Sequence, residues 1–183
     1  MNMELVNEKF KVIIKLDNTS YRKESSDNVI NYDIVINPSE NKQSDFDRTF
    51  CIEVKTSEKL YRIALVGSCY SIERHCAVLE NNILTVLQNE YISQIDLTNG
   101  SLVNRIHIGN TIYFELYRLI DKYIIFGELE ILCFNERFEQ EWCFSGRDIF
   151  TKFEIDGDII KLWDWEKYYY EINLKGELIN DSN

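Results

Sequence analysis

The second half of this chain contains a pattern of residues that recurs every 36–40 positions. Residues 95–102 read IDLTNGSL, residues 172–178 read INLKGEL, and a less regular copy, LCFNERFE, lies between them at 132–139. Each copy follows short runs of β-branched and aromatic residues, which favour strands. The glycine of the pattern can adopt the positive φ angle that a tight hairpin turn requires. The repeat therefore predicts a succession of antiparallel β-hairpins.

Short strands at this period resemble the blades of β-propellers of the WD40 and quinoprotein-like class. The resemblance covers about residues 78–180 and rests on the pattern Ile-(Asp/Asn)-Leu-x-Gly-x-Leu. It implies an all-β fold of antiparallel four-stranded sheets, arranged as a small or partial β-propeller. The dipeptide Trp163-Asp164 is not part of the resemblance, because it lies in the wrong part of the repeat and no Gly-His pair precedes it. A closed ring of about four sheets and an open, partial propeller both fit the pattern.

The domain organisation follows from where the repeat begins. We expect residues 1–183 to form a single all-β domain, with an irregular N-terminal sheet over 1–75 and about three propeller-like repeats over 76–183. Four strands are expected in the N-terminal part, at 9–16, 29–36, 49–55 and 60–67, and long polar loops at 17–28 and 37–47. A helix is best defended at 112–120, but the Ile-Tyr-Phe run there favours a strand.

The charge of the chain limits its partners. Lys and Arg total 20 and Asp and Glu total 31, which gives a net charge of −11. Residues 76–183 hold 19 of the acidic and 9 of the basic side chains, so nearly all the excess lies on the repeats. Nucleic acid and anionic membranes both need a positive face. We therefore expect neither as a partner and expect a basic protein instead.

Targeting and cysteine usage favour a cytoplasmic protein. The first residues, MNME, carry no basic segment followed by an apolar one, so no secretory signal is recognised. The longest uncharged apolar stretch, at 63–72, is too short to span a bilayer. The five cysteines are odd in number and form no Cys-x-x-Cys pair, which favours a reducing compartment.

No catalytic or cofactor motif is recognisable. The sequence has no Gly-x-Ser-x-Gly elbow and no Walker or Rossmann glycine pattern. The carboxylates of Asp156 and Asp158 flank Gly157 between two apolar runs, which is typical of a hairpin turn. The two histidines and five cysteines do not have the spacing of a zinc site. We therefore predict a protein that is not an enzyme and needs no cofactor or metal.

Acidic residues and aromatic residues alternate in the repeats, which suits a surface for a basic partner, although acidic turns also simply keep a β protein soluble. Small acidic proteins of this kind resemble the immunity proteins of bacterial toxin systems, including contact-dependent growth inhibition. The resemblance implies that carboxylates occlude the cationic cleft of a nuclease-like toxin. A scaffold in a cellular complex and an enzyme acting on a glycan or small ligand are the alternatives. The predicted contact residues are Glu128, Glu130, Asp164, Trp165 and Glu166.

Overall fold

The computed structural model describes residues 2–17, 29–38, 47–68 and 75–182, and each regular element in these ranges is a β-strand. No helix in this part of the chain is long and apolar enough to cross a membrane. The all-β prediction is confirmed. Most of the polar loops expected at 17–28 and 37–47, together with Cys69, lie outside the described residues. The chain divides into two compact units, Met1–Ile108 and Gly109–Asn183.

The first unit contains two sheets. One consists of β1 (Asn2–Val6), β2 (Lys11–Asp17), β3 (Ile34–Ile36), β4 (Asp47–Lys55) and β5 (Leu60–Ser68). Its order is β1-β2-β4-β5-β3, and only β3 and β5 are parallel neighbours. The other sheet is antiparallel in chain order and consists of β6 (Ala77–Glu80), β7 (Ile83–Gln88), β8 (Tyr91–Asp96) and β9 (Ser101–His107).

The core of the first unit lies between these two sheets. Alternate residues of β2, β4 and β5 are apolar and point to the same face, as the two-residue period of a strand requires. They pack against the inward side chains of β7 and β8 in one hydrophobic cluster. Its central members include Ile14, Phe50, Ile52, Ile63, Leu65, Leu84 and Ile95, all fully buried.

The second unit contains two antiparallel sheets, each in chain order. The first consists of β10 (Tyr113–Arg118), β11 (Lys122–Gly127), β12 (Glu130–Asn135) and β13 (Gln140–Ser145). The second consists of β14 (Phe150–Asp156), β15 (Ile159–Asp164), β16 (Tyr169–Asn173) and β17 (Leu178–Ser182). The segment 112–120, for which a helix was the alternative, contains β10, so its aromatic and β-branched residues form a strand.

Aromatic rings fill the core of the second unit. Phe153 from β14 stacks on Phe126 from β11 with ring centroids 5.1 Å apart, and it also meets the ring of Tyr117 at 5.1 Å. Near the start of β14, Phe150 and Tyr170 meet edge to face at 5.9 Å. Pairs of this kind add attraction beyond the buried area. The aromatic residues of the repeats therefore hold one sheet of this unit on the other.

The same turn closes three hairpins of the second unit, after Asn135, Asp164 and Asn173. In each case the backbone N–H three residues later donates to the carbonyl of the Asx residue, at 2.9–3.0 Å. The Asx side chain also accepts the N–H four residues later, at 2.8–3.0 Å. The fourth residue of the turn has a positive φ angle: it is Phe138 (58°), Lys167 (68°) or Gly176 (79°).

These angles confirm the turn predicted from the repeat. Gly100, in the first copy of the pattern, also has a positive φ of 73°. In the less regular copy the chain makes the same turn without glycine, because Phe138 adopts the left-handed conformation. The pattern is therefore a pattern of hairpin turns, and the missing glycine does not change their shape.

Candidate partner-binding surface

Three loops lie side by side at one edge of the second unit. They are the β11–β12 turn (128–129), the β13–β14 segment (146–149) and the β15–β16 turn (165–168). The Phe150 N–H donates to the Glu128 carbonyl at 2.7 Å, and the Trp165 N–H donates to the Ile149 carbonyl at 2.8 Å. These two backbone bonds join the loops in sequence. We call residues 128–129, 146–149 and 165–168 the turn surface.

The turn surface carries an apolar side chain from each of its three loops. Trp165 is 73% exposed, Leu129 is 45% exposed and Ile149 is 38% exposed. Single exposed apolar residues are ordinary on a soluble protein, but here three lie on loops that backbone hydrogen bonds join, and we call Leu129, Ile149 and Trp165 the apolar patch. Tryptophan is the residue type most often found at the energetic centre of protein interfaces. The patch therefore has the composition of a docking site.

Charged side chains flank this patch. Glu128 and Glu166 lie on the loops that carry Leu129 and Trp165. The guanidinium of Arg147 lies over the ring of Tyr168, 4.9 Å from its centroid, so this cation is already engaged with an aromatic neighbour. The remaining charges of the surface are Asp148 and Lys167.

Glu130 begins β12 and takes part in contacts within its own sheet. Its carboxylate accepts the O–H of Tyr113 and, at 3.2 Å, the S–H of Cys143. Burial and the hydrogen bond to Glu130 raise the pKa of Tyr113. Desolvation and its own hydrogen bond to Glu130 likewise raise the pKa of Cys143, to about 11. Glu130 is half-buried, so only part of its side chain is left for a partner.

Asp164 does not lie on the accessible part of the surface. Its side chain is only 2% exposed, and its two oxygens accept the Tyr168 N–H at 2.8 Å and the Tyr170 O–H at 3.0 Å. A carboxylate held in this way cannot reach a docked protein, so we remove Asp164 from the contact residues. The sequence did contain a signal for this role, since an Asx residue at the end of a strand commonly organises the following turn.

Leu129 and Ile149 are contact candidates that the sequence analysis did not select. Leu129 stands between Glu128 and Glu130 in a two-residue turn, where an apolar side chain has little chance of burial. That position was a readable signal. Ile149 directly precedes the buried Phe150, the first residue of β14. The exposure of Ile149 depends on where this strand begins, which no local sequence pattern reveals.

The last strands of the sheets are less suited to docking than the turns. Each of β9, β13 and β17 contains one residue without a cross-strand partner, a β-bulge, at Val103, Glu141 and Ile179. A bulge disrupts the ladder of backbone groups and is a common protection of edge strands against pairing.

Among the described residues, no group of three or more His, Cys, Asp or Glu side chains is arranged to hold a metal ion.

No family model and no curated protein matches the chain. Solved structures do match. BamB from Moraxella catarrhalis aligns over 75% of this chain and 46% of its own, with a TM-score of 0.52 and 16% identity. Saccharomyces cerevisiae Sqt1 aligns over 77% and 45%, with a TM-score of 0.55 and 14% identity. The fold is of the β-propeller type. The computationally designed Ika8 protein aligns over 98% of this chain and 60% of its own, with a TM-score of 0.53 and 8% identity.

The β-propeller fold confirms the fold expected from the repeat, with four-stranded, mostly antiparallel sheets. The chain spans about half the length of BamB and Sqt1. At these identities the likeness concerns the fold alone. Fold does not determine function, so the function has to be argued from the turn surface.

Proposed function

We propose that this β-propeller chain is a non-catalytic protein-binding module that works in the cytoplasm and binds a basic protein. The observation that carries the proposal is the largely exposed indole of Trp165, on a turn whose backbone is hydrogen-bonded to Ile149 and which lies on the same edge as Leu129. An aromatic anchor surrounded by smaller apolar groups is the usual centre of a binding site between proteins. The net charge of −11 favours a positively charged partner.

More specifically, we propose that the partner is a toxin domain, often a nuclease, and that the chain is its immunity protein. Carboxylates such as Glu128 and Glu166 would approach the cationic cleft in the place of substrate phosphates. Trp165 would then anchor the complex and exclude water. In this mechanism the carboxylates govern the rate of association, and the apolar patch governs the rate of dissociation.

The experiment is a pull-down with the tagged chain at two salt concentrations, about 50 mM and about 0.5 M. At the higher concentration the electrostatic screening length falls to a few ångströms. We expect one basic protein, which mass spectrometry identifies and which is then purified for kinetics. W165A should weaken its binding at least tenfold, or about 1.4 kcal/mol. I120A is the matched control, because Ile120 is 97% exposed in the same unit but lies in the β10–β11 turn.

The charged part of the surface has its own test. The double charge reversal E128K/E166K should slow association at low salt and weaken its salt dependence, with little change in dissociation. Equal binding by wild type, W165A and I120A would refute the turn surface as the docking site. A partner that is not toxic to cells would favour the scaffold alternative over the immunity protein.

A further inference from the structure

Asp164 is a buried carboxylate in a shell of aromatic rings. The ring of its partner Tyr170 lies 5.6 Å from the ring of Phe144 and 5.9 Å from that of Phe150. A buried charge is costly unless hydrogen bonds compensate it. Both oxygens of Asp164 have such bonds, from the Tyr168 N–H and the Tyr170 O–H. Both oxygens of this carboxylate are therefore satisfied within the protein.

The hydroxyl of Tyr170 connects this carboxylate to a second loop. While its O–H donates to Asp164, its oxygen accepts the backbone N–H of Arg147 at 3.0 Å. A continuous series of hydrogen bonds thus runs from the 146–149 segment, through Tyr170 and Asp164, to the 165–168 turn. These are the two loops that carry Ile149 and Trp165.

The turn alone does not require this arrangement. The hairpins after Asn135 and Asn173 have the same backbone hydrogen bonds, and there the Asx oxygen accepts only backbone N–H groups. An asparagine is thus sufficient to shape the turn. What Asp164 adds is a second acceptor oxygen, directed at a buried tyrosine that holds the neighbouring loop.

We propose that Asp164 and Tyr170 form a positioning pair, which fixes Trp165 relative to Ile149 and so presents the apolar patch of the turn surface in one arrangement. The inference rests on the proposed function for its biological meaning, since it assigns the pair to the docking site. Neither residue touches the partner. Both are expected to act only through the loops that they join.

The decisive variant is Y170F, which deletes one oxygen atom and leaves the Asp164–Tyr168 turn bond in place. The control is Y169F, which deletes the neighbouring hydroxyl on β16; that hydroxyl donates to Glu171 and lies outside both the series and the turn surface. The probe is 5-fluorotryptophan incorporated at Trp142, Trp163 and Trp165, with the Trp165 fluorine resonance assigned by W165F. We expect Y170F to shift or broaden the Trp165 resonance, and Y169F to leave that resonance unchanged.

A Trp165 resonance that is identical in wild type and Y170F would overturn the inference, even if Y170F lowers the melting temperature. This measurement needs no partner, so it is independent of the proposed function. With the purified partner, Y170F should weaken binding several-fold in the wild-type background and add almost nothing in W165A. If W165A itself binds normally, the turn surface is not the docking site, while the fluorine result still stands.

Discussion

The Phe138 turn offers the sharpest test of how the repeats tolerate a missing glycine. Phe138 and Lys167 occupy the same position of the same turn, with φ angles of 58° and 68°. Replacing either with glycine removes the strain that an L-residue meets in the left-handed region. The two differ in what the side chain contributes: Lys167 is exposed, whereas Phe138 is 7% exposed and stacks on Tyr123 with centroids 4.5 Å apart.

The expected sizes follow from these two environments. Glycine at a left-handed position gains roughly 1–2 kcal/mol of relieved strain, less the roughly 0.5–1 kcal/mol that its freedom in the unfolded chain takes back. Loss of a buried phenylalanine side chain costs roughly 3–5 kcal/mol. F138G should therefore lower the free energy of unfolding by about 3 kcal/mol, whereas K167G should raise it by about 1.5 kcal/mol at most.

Urea unfolding followed by tryptophan fluorescence measures both variants against wild type, provided that the denaturant slopes agree. F138G should clearly lower the urea concentration at the midpoint of unfolding, and K167G should leave that midpoint unchanged or raise it slightly. If F138G proved as stable as wild type, the stacking of Phe138 on Tyr123 would contribute nothing, and turn strain would dominate this position. If K167G were strongly destabilised, the comparison of the two turns would itself be wrong.

Two further predictions concern titration. The hydrogen bond from Lys15, with help from Arg62, lowers the pKa of Glu53 in the folded protein. The ionised Glu53 therefore stabilises the fold above its unfolded pKa of about 4.3, and this stabilisation is lost as the pH falls through the lower pKa of the folded state. E53Q should lower the melting temperature at pH 7 and hardly change it near pH 3. With its pKa raised to about 11, Cys143 should have roughly a hundredfold less thiolate at pH 8 than free cysteine. E130Q removes the negative charge beside the thiol and should speed the alkylation of Cys143, which peptide mass mapping measures. An unchanged alkylation rate would contradict the contact between Glu130 and Cys143.

The repeats could be predicted because their signals are local. A strand shows its two-residue period, and a hairpin shows its turn residues, within a dozen positions of sequence. Of the expected N-terminal strands, 9–16, 49–55 and 60–67 correspond to β2, β4 and β5, but 29–36 contributes only the three residues of β3. That short strand is held on β5 by contacts of Asp33 with the backbone of Arg62, which local sequence does not show. Strand β1 was not among the predicted strands, because it has no fully buried residue and so no clear apolar period.

The residues of the proposed docking site were harder to predict, because the exposure of a side chain depends on residues that are distant in the sequence. Trp165 is exposed as a contact residue must be, since the turn after Asp164 points its side chain to solvent. Asp164 is buried because Tyr170 and Tyr168 supply the donors that a buried carboxylate needs. Glu130 is half-buried because Tyr113, 17 residues away, donates to it. A carboxylate in a sequence therefore indicates charge, but only the donors around it decide whether a partner can meet that charge.

In the three Asx turns, the residues that set the shape of the turn are not the residues that the turn exposes. The backbone bonds of the three Asx turns involve only the Asx residue and main-chain groups, so the side chains between them are free to vary. Trp165 and Glu166 occupy such positions, and so does Arg137 in the turn after Asn135, whereas Glu136 there pairs with Arg118. The exposed side chains at these positions can thus be exchanged at little cost to folding, and the bulges of the last strands disfavour unspecific strand pairing. Exchanging the side chains at 165 and 166 should therefore alter binding while the urea midpoint stays within that of a surface substitution.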